Sequence, residues 1–218
     1  MKPDSFLFAL PLQSLALAGV LFYYNELMTA GDAVLMAYMS LTAGVLYPII
    51  WFQPGAWVSF MGGGSPARGV AAFKVAVALH KVGLLITMYA TGWLDIARLL
   101  AQAQSAAPLA IAATTSLLVA GLWLQGLVYQ KIGANGVYYG FKMGIEVPWC
   151  HEFPFSFFRH PQYVSASTLF VALLLAIGWR DTSPVFLSFQ MWLYSVTAQM
   201  EEIGDQEPAE TKNAKKKR

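Results

Sequence analysis

Four apolar runs, approximately 6–26, 33–52, 70–93 and 106–129, constrain this chain more than any other feature. Each is about 20 residues long, the length a helix needs to cross a ~30 Å hydrocarbon core. Inside a bilayer every backbone N–H and C=O must be satisfied within the chain, so such runs are helices. Composition agrees. The 218 residues are 57% hydrophobic and only 12% charged, about half the charged fraction of a soluble domain. The sequence therefore predicts an all-α, polytopic integral membrane bundle of about five to six membrane helices. The first run carries Pro11 and ends at Asn25-Glu26, which leaves open a kinked or interfacial form. Ala16-Leu17-Ala18 has the small-residue pattern of a signal-peptide cleavage site, but the run continues to Tyr24 without a polar break. That favours an uncleaved first helix.

Residues 163–200 form two shorter apolar stretches, "YVSASTLFVALLLAIGW" and "VFLSFQMWLYSVTAQM", split by "RDTSP". Asp181, Thr182 and Ser183 are good N-caps, and Pro184 suits a first helical position. The spacing predicts a C-terminal helical hairpin. A hairpin returns the chain to the face it left, so Glu201-Glu202 is expected beside Arg159-His160. The stretch "QPGAWVSFMGGGSPARG", with its Gly triplet and Ser-Pro, reads as a loop. One transmembrane domain is expected over 1–202, followed by a polar, basic-ended tail over 203–218.

Of the fourteen Lys and Arg residues, five lie in the final "KNAKKKR", which places the tail in the cytosol by the positive-inside rule. Counting back six spans puts Lys2, Arg68, Lys131, Lys142 and Arg159 on that side, and only Arg98 and Arg180 opposite. No second basic patch exists to support a nucleic-acid partner. A lone cysteine, Cys150, excludes an intrachain disulfide. The three histidines are too scattered to argue for a metal, and none is expected.

Arg159-His160 facing Glu201-Glu202 would complement a ligand that carries both a carboxylate and positive centres. S-adenosylmethionine is such a ligand. Arg159 suits its carboxylate, Glu201 or Glu202 its ammonium or ribose hydroxyls, and the Tyr163 ring its sulfonium by cation–π contact. The plainer alternatives are a snorkelling arginine at a helix end and a solvated acidic cluster.

"EFPFSFFRHPQYVSAST", followed about forty residues later by "MEE", resembles the membrane phospholipid methyltransferases. The likeness rests on Phe153-Pro154-Phe155, Pro161-Gln162-Tyr163, Ser167-Thr168 and Glu201-Glu202, with a similar "GVYYGFK" from Gly136 to Lys142. It covers roughly residues 110–202. It implies transfer of a methyl group from S-adenosylmethionine to the amine of phosphatidylethanolamine or its mono- and dimethyl derivatives, in phosphatidylcholine synthesis. It also implies cofactor binding by the Arg159-His160 region and by Glu201-Glu202. Gly121 is the one residue of "VAG" that matches the family's Gly-x-Gly. Arg-His-Pro with a later Glu-Glu is similar to the isoprenylcysteine carboxyl methyltransferases as well, which makes that activity the alternative. A non-catalytic scaffold of the same fold is a further one.

Methyl transfer to an amine needs alignment, exclusion of water and a deprotonated acceptor. Glu201, Glu202 and His160 are the candidate proton acceptors. For the lipid phosphate, Lys142, Lys131 and the intramembrane Lys81 are candidates. Lys74 lies seven residues before Lys81, on the same helix face. "WCHEFPFSFF" puts Phe153, Phe155 and Phe157 on one side if extended, as in an interfacial belt. Lys215-Lys216-Lys217-Arg218 resembles a dilysine retrieval signal, which implies the endoplasmic reticulum with the active site on the cytosolic face.

Overall fold

The computed structural model describes residues 9–148 and 150–205, with side chains described through Glu201. Lys2, the basic tail and the side chain of Glu202 lie outside the described residues. Eight helices are described: α1 (Leu10–Tyr24), α2 (Ala30–Phe52), α3 (Pro54–Gly62), α4 (Pro66–Ala90), α5 (Ile96–Ser105), α6 (Pro108–Val137), α7 (Pro161–Ala176) and α8 (Ser183–Asp205). No strand occurs among the described residues. Helices α2, α4 and α6 are long and apolar enough to cross a membrane, and α7 is a shorter apolar helix. Large side chains such as Phe22, Phe60 and Leu109 point outward, as the surface of a bundle in lipid requires. The fold is a helical membrane bundle.

Local chemistry sets the helix boundaries. Thr29 and Asp32 form a reciprocal capping box at the start of α2. Within α2 the backbone widens into a π-helical turn at Thr42–Leu46. Pro48 follows, and its ring would otherwise meet the carbonyl of Gly44 four residues back. α3 ends at Gly63, whose φ of +54° is the left-handed C-cap position. Where α3 meets α4, Gly62 lies so close to Gly69 that a Cβ would sit 2.8 Å from the Gly69 nitrogen. Gly133, at φ +66°, kinks the last turns of α6.

α6 packs along α7, α8 packs along α1, and α7 and α8 form the expected hairpin. Ser183 closes its turn: its hydroxyl accepts the Arg180 N–H at 2.9 Å. At this end, which is opposite the site described below, the buried Asp32 carboxylate accepts the Trp93 indole N–H at 2.7 Å. The Arg180 guanidinium lies 4.7 Å from the Trp93 ring and donates to the carbonyls of Gly92 and Trp93.

Three local expectations are corrected. The stretch 53–69 is not all loop: α3 occupies Pro54–Gly62, and only Gly63–Ser65 turns. A short helix, α5, stands where no element was expected, capped by the Asp95 side chain. Within "WCHEFPFSFF" the residues 153–157 are folded into turns, with the Phe158 N–H bonded to the Pro154 carbonyl at 2.8 Å. Phe153 and Phe157 are exposed, but they do not alternate along an extended strand.

Candidate active site

The hairpin returns Glu201, near the end of α8, to His160, the residue before α7. His160 Nδ1 lies 3.3 Å from Glu201 Oε2. The other carboxylate oxygen, Oε1, accepts the Tyr139 hydroxyl at 2.8 Å and the Tyr163 hydroxyl at still shorter range. Tyr139 and Tyr163 are each only 3% exposed, and His160 is buried as well.

Each phenol has one proton, and both are directed at Glu201 Oε1. The 3.0 Å between the two phenol oxygens is then a close approach without a proton of its own. The Tyr139 oxygen still accepts, from the side-chain amide of Gln162 at 3.0 Å. Burial, reinforced by the Glu201 carboxylate, pushes the Tyr139 phenol well above its ordinary range, so it stays protonated and donates. The Tyr163 ring stacks on His160 at 5.5 Å and on Tyr194 at 5.2 Å. The most direct link of Tyr163 to the cluster is thus its hydroxyl, whereas the sequence had suggested its π-face as a seat for a cation.

The cluster borders a cavity of about 470 Å³ enclosed by α2, α4, α6, α7 and α8. Its wall carries the amides of Gln125, Gln162 and Gln190, the phenols of Tyr129 and Tyr194, and Thr42 from the π-helical turn. Thr42 Oγ1 is buried and without a hydrogen-bond partner among the described residues, which is what a wall built for a polar ligand leaves behind. A larger groove, about 770 Å³, runs along α6 past Ile111, Ser116 and Trp123. It is open and overwhelmingly apolar, and belongs to the lipid-facing surface.

The other sequence candidates are dispersed. Arg159 is exposed next to His160. Lys142 Nζ sits 3.9 Å over the Trp51 ring. Lys131 pairs with Glu152, and Glu152 is held below its usual carboxylate range by that bond. Lys74 reaches the Tyr138 ring at 5.8 Å. Lys81 lines the cavity, eight residues and about 12 Å of helix beyond Phe73, whose ring meets Tyr139. Gly121 is in the α6–α7 seam. Its carbonyl accepts the Ser165 hydroxyl at 3.0 Å, and a Cβ there would lie 2.7 Å from Leu169 Cγ. Packing against α7 leaves no room for a side chain here. Sequence reasoning missed Tyr139 and Gln162 as parts of the cluster. The signal for both was present, in "GVYYGFK" and in Pro-Gln-Tyr.

The chemistry of the donor set fits S-adenosylmethionine: a guanidinium, a carboxylate with an imidazole, and a cavity walled by amides and phenols at their side. Comparison with known proteins supplies independent findings. Residues 109–203 match the family model described as phospholipid methyltransferase. The chain is also 41% identical over 63 residues to phosphatidyl-N-methylethanolamine N-methyltransferase of Arabidopsis thaliana. That stretch covers 29% of this chain and 37% of the relative, so the match spans a little over a third of the relative's length. No solved structure matches the chain.

Proposed function

We propose, from the match of residues 109–203 to the phospholipid methyltransferase family model, that the protein methylates the amine of phosphatidylethanolamine or of its mono- and dimethyl derivatives. The methyl donor is S-adenosylmethionine, and the pathway is phosphatidylcholine synthesis. The name of the Arabidopsis relative favours the monomethylated lipid as one acceptor. The observation that carries the reading is the junction of Glu201 with His160 and two buried phenols beside the cavity, inside the matched segment.

S-adenosylmethionine supplies an electrophilic methyl group when bound. Everything else falls to the chain. Arg159 holds the donor's carboxylate, and its exposed position at the mouth of the hairpin supports that role. The Glu202 side chain is a further candidate for the donor's ammonium. The lipid amine must lose a proton before it can attack. Donation from His160 Nδ1 to Glu201 Oε2 selects the tautomer whose basic lone pair is on Nε2, so His160 accepts that proton and Glu201 stabilises the imidazolium that results. Lys142 is the cation for the lipid phosphate, with Lys131 the rival candidate. The cavity removes the reacting groups from bulk water. We place the protein in the endoplasmic reticulum membrane with the site facing the cytosol; the clustering of basic residues near the site end and in the tail supports this.

The test uses purified protein in mixed micelles with methyl-labelled S-adenosylmethionine. Phosphatidylethanolamine, its mono- and dimethyl forms and farnesylcysteine are offered separately. Label in a phospholipid amine, lost in Arg159→Ala and Glu201→Ala, is the expected result. Label in farnesylcysteine alone would move the protein to carboxyl methylation. No transfer and no S-adenosylmethionine binding would leave a non-catalytic membrane protein.

A further inference from the structure

We infer that Tyr139 is a positioning residue, whose phenol anchors one oxygen of Glu201 so that the other faces His160. The inference rests on the reading of the site given above.

Tyr139 is the one non-glycine residue with positive φ among the described residues, at +56°. For an aromatic side chain this left-handed backbone is costly and persists only where its surroundings enforce it. The enforcement is visible. The turn after α6 is closed by the Gly140 N–H on the Asn135 carbonyl at 2.7 Å. The Tyr139 ring is wedged edge-on against Trp51 at 5.4 Å and Tyr47 at 5.5 Å, and tilted against Phe73 at 6.3 Å. An ordinary core position in this aromatic cluster would need neither the strained backbone nor a hydroxyl. Here both have one evident consequence: the phenol reaches Glu201 Oε1 at 2.8 Å, with Gln162 donating to it from behind.

With two phenol protons on Oε1, rotation of the carboxylate is blocked, and Oε2 stays 3.3 Å from His160 Nδ1. Burial keeps the Tyr139 phenol protonated, so the anchor does not fail as pH rises through the working range. The titratable groups facing the pair are Tyr47 from α2, Tyr139 from the turn, Tyr163 from α7 and Tyr194 from α8. The first three present neutral phenols to it, and Tyr194 stacks on Tyr163. Loss of one phenol proton leaves Glu201 with more unshared negative charge. The carboxylate is then free to rotate, and Oε2 no longer stays aimed at His160 Nδ1.

The experiment compares full-length wild type with Y139F, E201Q and the double variant, in micelles containing monomethylated phosphatidylethanolamine. Y139F keeps the ring and the turn. Its kcat is expected to fall about tenfold, the scale of losing an orienting hydrogen bond behind a working group. KM for S-adenosylmethionine should stay within about twofold. Because Tyr139 acts through Glu201, the double variant should be no slower than E201Q alone. An unchanged Y139F, or losses that simply multiply in the double variant, overturns the inference while leaving the methyltransferase reading intact. So does a Y139F protein that no longer melts cooperatively, since the hydroxyl would then be a folding element. A wild type inactive on every phospholipid overturns the reading of the site and this inference together.

Discussion

His160 Nδ1 and Glu201 Oε2, forty-one positions apart in sequence, lie 3.3 Å apart at one end of the bundle. The contact exists because α7 and α8 are a hairpin whose turn is at the other end. Replacing Glu201 by Gln keeps the shape and removes the charge that stabilises a protonated imidazole. We expect kcat to fall roughly 10²- to 10⁴-fold, the range for losing acid–base assistance, with the melting midpoint in detergent little changed. Labelled methyl transfer alongside a thermal scan checks both halves. Full activity in E201Q would remove the carboxylate from the mechanism.

Gly121 makes a different kind of prediction. A methyl group there meets Leu169 Cγ at 2.7 Å and Cδ2 at 2.8 Å, so α6 and α7 must separate or Leu169 must change rotamer. Gly121→Ala should cost about 1–3 kcal/mol of stability, typical of overpacking. S-adenosylmethionine binding per folded molecule should be unaltered. A stable variant with selectively weakened cofactor binding would restore the cofactor role that the family resemblance implies.

At the far end, Asp32 both caps α2 and accepts the Trp93 indole N–H at 2.7 Å. Asp32→Ala removes a cap, worth about 1 kcal/mol, and strands a buried donor, which costs about 1–3 kcal/mol more. Unfolding in a denaturing detergent series should show the loss, and Asp32→Asn should recover part of it.

The Lys131–Glu152 pair is exposed, with side-chain accessibilities of 30% and 76%, so it contributes little. Its sign is nonetheless fixed. Glu152 has a lowered pKa because Lys131 bonds its ionised form. The pair's contribution is therefore present above the ordinary glutamate range and is lost as pH falls through the depressed value. Lys131→Ala should lower the melting midpoint slightly at neutral pH and not at all in stronger acid. A larger effect in acid than at neutrality would contradict the assignment.

The long apolar runs made α2, α4 and α6 legible, because hydrophobic length is a signal that tertiary context rarely overrides. The hairpin was equally readable from Thr182, Ser183 and Pro184, and its geometry follows from connectivity alone. α3 was hidden by its own C-terminus: the Gly63 that caps it belongs to a triplet that reads as a loop. α5 was hidden by its ten residues, too few to raise a hydropathy signal. Tyr139 illustrates a deeper limit. Its left-handed backbone is imposed by Trp51, Tyr47 and Phe73 from other helices, and no local pattern announces it. Gly121 carries two signals at once: a motif that suggests a ligand, and a close seam with α7 that leaves no room for a side chain.

α7 has only 16 residues, about 24 Å of helix, and carries the cluster at its first turn. A typical hydrocarbon core is ~30 Å thick. Lipids around this helix must thin locally, or the cluster is drawn below the headgroup level. In either case the distance between a lipid amine and His160 depends on bilayer thickness. On the proposed function, turnover in vesicles should therefore decline as the acyl chains of the surrounding lipid are lengthened at constant headgroup.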